Sequence, residues 1–500
     1  MEKWLSQSTP PEQQLDRRWI GRYRELTSQD SFWWLSWAGP FTEEEQQQWD
    51  HLFKPPIDEV TKARLGPLLR QSRERELVAA LAEQREPRLH YPAIEIDDVR
   101  RRIAGLIELD TEIEREESNT IVSQLYHGVI EDDVNYLRII EATYEGDTER
   151  YWMFNRRIFH EPTQDEMVYA FTWVRRLLQQ GLERPETAEI SQQFTSFLQE
   201  QLHLSLDLSV GKDDPPVALE KASYASLRTI SSEIAKRFYE AVLLESGYKG
   251  WQVNIDTAGG GITRVEWGLR QVLLAEESFT LEKVRHLLAH ELAGHVARSF
   301  AGEHSPIGLL GIGTKGFSAT EEGLALYHER RVAALHGEPF DDSGFIFGML
   351  AMGLASGVVT PPLTFSSLYT FFERLIFLYR RLLRPWRDYE SEQQRTHNFA
   401  LVRCLRTYRG VPDLGQAGIC HLQDVTYLRG ILQIERAVAE DEKVLDHLAV
   451  GMIAYDLLPM LRPLQMIPPP QLLQRLAYNP ELDNDILSFE TSGKDVVKSV

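Results

Sequence analysis

The segment Leu287-Leu-Ala-His-Glu-Leu-Ala-Gly-His-Val296 constrains this chain most, because it puts two imidazoles and a carboxylate on what reads as a single apolar helix. A regular α-helix advances roughly 100° per residue, so His290 and His295, five positions apart, would diverge by about 140°. They converge only if the turn takes up one extra residue, a π-type bulge of the kind that occurs at functional sites. Gly294 eases such a distortion. With the bulge in place, His290 and His295 offer the borderline nitrogen donors of a catalytic zinc site, and Glu291 is the general base beside them.

A catalytic zinc site takes a third protein ligand and keeps its fourth position open. Downstream, Ser318-Ala-Thr-Glu-Glu-Gly-Leu-Ala-Leu-Tyr327 reads as the start of a helix with two glutamates competing for that role. Ser318 and Glu321 stand in the S-x-x-E relation of a capping box, which commits Glu321 to the helix terminus and leaves Glu322 facing inward. Glu322 is the expected ligand and Glu321 its competitor. His286, His304 and His328 lie near by and read as surface or satisfied core histidines.

Around this segment the chain divides into three stretches. Residues 1–95 are broken by prolines at 10, 11, 40, 55, 56, 67, 87 and 92 and form an accessory helical region. Residues 96–440 form the main domain. Val99, Ile103, Leu106 and Ile113 open its helical periodicity, which runs to about Gly247. Trp251 to Ile255 then alternates, Gly259-Gly260-Gly261 reads as a turn, and Ile262 to Trp267 and Gln271 to Leu274 complete a small antiparallel sheet. The triple glycine lacks the spacing of a phosphate loop. Helices resume near Thr280. Phe345 to Val359 carries no charge but falls short of the roughly 20 residues a bilayer needs, so it reads as a buried core helix. Residues 441–500 are a helical segment with a polar, mobile tail from Asn479. The fold class expected is α+β, predominantly helical, with the sheet next to the histidine helix.

A net charge of -21 argues against nucleic-acid or anionic-membrane binding. Cys404 and Cys420 are too few for a disulfide framework, and Met1 to Thr9 has no signal-like pattern, so a reducing, cytoplasmic setting is expected. Arg374, Arg380, Arg381, Arg384 and Arg387 read as a solvated helix face rather than a docking surface for acidic peptides.

HELAGH followed by TEEGLA resembles the tyrosine carboxypeptidase family, which includes microtubule-associated enzymes that remove the C-terminal tyrosine of α-tubulin and bacterial flavohaemoglobin expression-modulating QEGLA-motif proteins. In those bacterial relatives the first Glu of the second motif is Gln, which favours Glu322 as the ligand. Ser246 to Asp256, His295-Val-Ala-Arg298, Arg406-Thr-Tyr-Arg-Gly410 and Asp424-Val-Thr-Tyr-Leu-Arg-Gly430 are similar to other blocks of the family. The likeness spans about residues 96 to 440. The connector before Glu322 is shorter than in the tubulin enzymes, and His421-Leu-Gln423 stands where Thr-Lys is expected. HELAGH and EEGLA also resemble the HELLGH and EECRA motifs of dipeptidyl peptidase III.

The resemblance implies a zinc-peptidase-like domain that uses Zn²⁺ to hydrolyse the C-terminal bond of a peptide or protein, with a tyrosine or other aromatic residue as the leaving group. A carboxypeptidase needs a forked cation for the terminal carboxylate, and Arg298, Arg406 and Arg409 lie in the family-like blocks. Tyr408 and Tyr427 are candidate donors to the oxyanion. The alternatives are dipeptidyl-peptidase or aminopeptidase action, or a non-catalytic regulatory protein on the same fold.

Overall fold

Side-chain caps start many of the helices where the periodicity does. Asn119 accepts from the Ile121 and Val122 amides at the head of Thr120–Glu145. Thr163 and Glu166 close a reciprocal capping box on Gln164–Glu183, and Thr280 caps Leu281–Leu287 by accepting from Lys283 N. The computed structural model describes residues 1–27, 35–36, 39, 42–52, 59–208, 217, 228–256 and 263–491. The protein is 69% helical with small sheets, the predominantly helical α+β class expected.

Two short sheets lie beside the histidine helix. Strand β1 (Thr229–Ser231) pairs antiparallel with β5 (Ser278–Thr280). Strands β2 (Gln252–Asp256), β3 (Arg264–Glu266) and β4 (Gln271–Ala275) form a second sheet in the order β2-β4-β3. Here the expected antiparallel hairpin is corrected: β2 runs parallel to β4, and only β3 is antiparallel to it. The strands on either side of the glycine run are therefore not neighbours, and the triple glycine itself lies outside the described residues.

Ser343–Ser356 is a 14-residue core helix buried along nearly its whole length. Among the described residues no helix is long and apolar enough to cross a membrane. Pro67 does not break the chain as expected but sits within Glu59–Ala82.

The apolar cores draw on all three stretches of sequence. Trp4 from the first and Leu473, Leu482, Ile486 and Phe489 from the last share one core with Val284, Leu288, Leu292 and Phe300 of the histidine helix. Trp19 and Tyr23 share another with Val122, Ile130 and Leu324. Of the tail from Asn479, expected to be mobile, the first part forms the helix Leu482–Thr491, whose Leu482 and Ile486 are fully buried; residues 492–500 lie outside the described residues.

The helices Phe317–Leu335 and Val425–Glu440 cross with almost no space between their backbones. A Cβ on Gly430 would lie 1.9 Å from the carbonyl oxygen of Ala319, and one on Gly323 would lie 2.2 Å from the carbonyl carbon of Gly430. Only glycine at both positions permits this approach, which brings Tyr427 beside the first turns of the Glu322 helix.

Candidate metal centre

The histidine helix spans 281–303 in three pieces: α-helical Leu281–Leu287, π-helical Leu288–Val296 and α-helical Ala297–Glu303. The bulge demanded by the spacing is present and contains the whole motif. In the wider turn, residues five apart share a face, and the rings of His290 and His295 stand 5.0 Å apart at 84°. Gly294 lies inside the widened turn and also serves packing. A Cβ there would lie 3.1 Å from Cβ of Ala325, so the glycine lets the Glu322 helix pack close.

His290, His295 and Glu322 each offer a ligand atom, and the three atoms lie within 4.8 Å of one another. His290 Nε2 is 3.8 Å from Glu322 Oε2. Donors of one tetrahedral zinc, each about 2.1 Å from it, stand roughly 3.4 Å apart, so a small side-chain adjustment accommodates the ion.

Each histidine has its other nitrogen anchored by a carboxylate. His290 Nδ1 is 3.2 Å from Glu329 Oε2, and His295 Nδ1 is 2.9 Å from Glu321 Oε1. This leaves Nε2 of each ring for a metal, the usual arrangement of a ligating histidine. Sequence reading missed Glu329, although its spacing of seven from Glu322, close to two helical turns, puts both on the face toward the histidines.

The capping box is corrected. Phe317–Leu335 is capped by Gly316 without a side-chain bond, so Ser318 and Glu321 lie inside the helix. Glu321 is excluded as a ligand because it is 2% exposed and bonds both His295 and Arg298. Glu322 is left to the site by that pairing, not by the capping box.

Glu291 is buried between the histidines. Burial raises its carboxyl above the usual range against the opposing pull of His290 and His295, with Glu322 and Glu329 adding to the rise. A carboxylate so placed holds a proton nearer neutral pH than a solvated one does.

The substrate-contact candidates separate. Arg298, expected as a clamp, is 1% exposed and uses its guanidinium on Glu321 and on the carbonyls of Leu448 and Ile453. Tyr408 is likewise corrected: its hydroxyl donates to the Leu363 carbonyl at 2.6 Å inside the core. Tyr427 adjoins the centre, since the charge of Glu322, followed by burial, drives its phenol pKa up. Arg406 hydrogen-bonds Tyr427 and holds both oxygens of Asp424, at 3.2 Å and 2.6 Å. Arg409 is half-buried among Arg406, Asp424, Tyr136 and Tyr151. Arg403 also pairs with Asp424, at 2.7 Å, so two arginines, Arg403 and Arg406, share one carboxylate.

The other histidines are not members of the three-donor group. His304 bonds the Phe300 carbonyl at 2.8 Å, His328 bonds Tyr478, and His286 contacts Glu329 and Glu338. In the arginine series Arg380 and Arg387 both pair with the fully buried Glu392, which ties part of that face down internally.

No protein-family model matches the chain, and no curated protein matches it.

Proposed function

We propose that the chain is a zinc-dependent peptidase, with His290, His295 and Glu322 as the metal ligands and Glu291 as the general base. The observation that carries this reading is the π-helical turn, which brings two histidines five residues apart onto one face with Glu322 in reach. When bound, the metal would supply a Lewis acid for the scissile carbonyl and lower the pKa of water.

The residues around it divide the remaining work. Glu321 and Glu329 orient the imidazoles. Glu291 takes the proton of the attacking water and passes it to the leaving amine. Tyr427 accepts from Arg406, which keeps its own hydroxyl proton available for an oxyanion. Arg406, with its side chain 38% exposed, is the arginine best placed for a substrate carboxylate.

That carboxylate is the C-terminus of a peptide or protein, and the released residue is tyrosine or another aromatic, following the resemblance of HELAGH and EEGLA to the tyrosine carboxypeptidases. The dipeptidyl-peptidase reading shares the ligand set and differs in the terminus attacked. Mass spectrometry of the products from a peptide set with free and amidated C-termini separates them. Cleavage of the free forms alone supports carboxypeptidase action, and release of N-terminal dipeptides from both overturns it.

A further inference from the structure

We infer that the same helix carries a second divalent-metal site one turn earlier, built from Glu282, His286 and Glu338. These residues offer ligand atoms that lie within 4.8 Å of one another. Glu282 and His286 are four apart in Leu281–Leu287 and so share a helical face. Glu338 comes from the end of the Glu322 helix, where Gly337 takes φ 65° and the Glu338 amide returns to the Ala333 carbonyl at 2.8 Å. That left-handed turn folds Glu338 back over the histidine helix.

Two atoms of the cluster point to a cation. His286 Nε2 and Glu338 Oε2 are both buried and make no close hydrogen bond; what they face is each other, as an ion pair. They stand 3.6 Å apart, too far for a good hydrogen bond but close to the separation of about 3.4 Å that two donors take around one zinc ion. The remaining atoms of both groups are accounted for. Glu338 Oε1 accepts from Arg285, and His286 Nδ1 faces Glu329 Oε1 at 3.4 Å. Glu329 thus anchors His286 through one oxygen and His290 through the other. Each histidine has the ligand-and-anchor pattern of a metal-bound imidazole.

The site takes a zinc-like divalent ion with one nitrogen and two carboxylate donors. It stands independently of the peptidase reading, since none of its three donors belongs to the first set. Its position at the junction of the two helices suits a structural ion that fixes Glu329.

Zinc content, measured by plasma mass spectrometry after equilibration with buffered micromolar free zinc, tests it in the full chain. The His290→Ala protein is expected to retain one zinc, and the triple variant His290→Ala/Glu282→Gln/Glu338→Gln none. In the wild-type background, Glu282→Gln/Glu338→Gln is expected to remove one equivalent and leave the first site filled, with ¹¹³Cd resonances falling from two to one. A His290→Ala protein that binds no zinc, or a Glu282→Gln/Glu338→Gln protein with the wild-type metal count, overturns the site. A wild type that holds a single zinc, kept in His290→Ala and lost in Glu282→Gln/Glu338→Gln, supports this site while refuting the first.

Discussion

Glu291 and Tyr427 are the residues on which the chemistry turns, and each has a control near by. Glu291→Gln keeps the shape of the side chain but removes the base, so peptide hydrolysis is expected to fall by about 10²–10⁴ with zinc content unchanged. Tyr427→Phe is expected to lower kcat by on the order of 10², as loss of one oxyanion donor does. Tyr408→Phe, which only gives up the bond to the Leu363 carbonyl, should leave kcat alone and cost about 1 kcal/mol of stability. Equal kinetic effects of the two tyrosine variants would remove Tyr427 from the site. Asp424 carries a different prediction. Burial raises its pKa, but Arg406 and Arg403 outweigh that and hold it at about 2. The folded value lies below the unfolded one of about 3.9, so the stabilisation is complete above about pH 4 and is lost as pH falls toward 2. Asp424→Asn should lower the urea midpoint at pH 7, at a cost of about 1.5–3 kcal/mol, because the half-buried Arg403 loses its counter-charge. A midpoint equal to that of the wild type would contradict the pairing.

Among the elements, one bulged helix and one glycine crossing position the centre. The bulge was legible in the sequence, because only a widened turn reconciles His290 and His295 with a shared face. Of the two grounds for Glu322, the capping box fails, since Gly316 and not Ser318 caps the helix, and the resemblance to the QEGLA-motif proteins is left. No local pattern reveals that Glu321 is consumed by His295 and Arg298, because those contacts cross between two helices. The parallel pairing of β2 with β4 was hidden for the same reason: strand alternation reports which face is buried, not which strand lies alongside. The crossing of Gly323 with Gly430 makes a direct prediction. Gly430→Ala places a methyl group against the Ala319 carbonyl and must part the helices, at about 1–3 kcal/mol or more. Glu322 and Tyr427 lie on the two helices that separate, so zinc affinity should drop at least tenfold. Calorimetric zinc titration checks this, and an unchanged affinity would show that the crossing does not position the ligand.

Across the whole molecule, the ends of the chain support the centre. Gln474 donates to the Ala293 carbonyl in the motif itself at 2.8 Å, and Phe489 packs edge-on to Phe238 with centroids 5.7 Å apart. From Asn479 the sequence reads as a polar tail, in which Asp483, Asn484 and Asp485 stand between Leu482 and Ile486. The spacing of Leu482, Ile486 and Phe489 is that of a short helix laid on an existing core, which shows only once the core is assembled. Deleting residues 480–500 removes these three side chains, each worth about 1.5–3 kcal/mol of burial, bares the core they cover, and should lower the thermal midpoint and weaken zinc retention together. Retention of both would detach the tail from the site. The central claim, that this centre is a peptidase site driven by Glu291, meets its most direct test in zinc-loaded wild type and Glu291→Gln assayed side by side on peptides with free C-termini, with metal content measured on both. Equal zinc with hydrolysis by the wild type alone is the expected result, and hydrolysis by both proteins, or by neither, would contradict it.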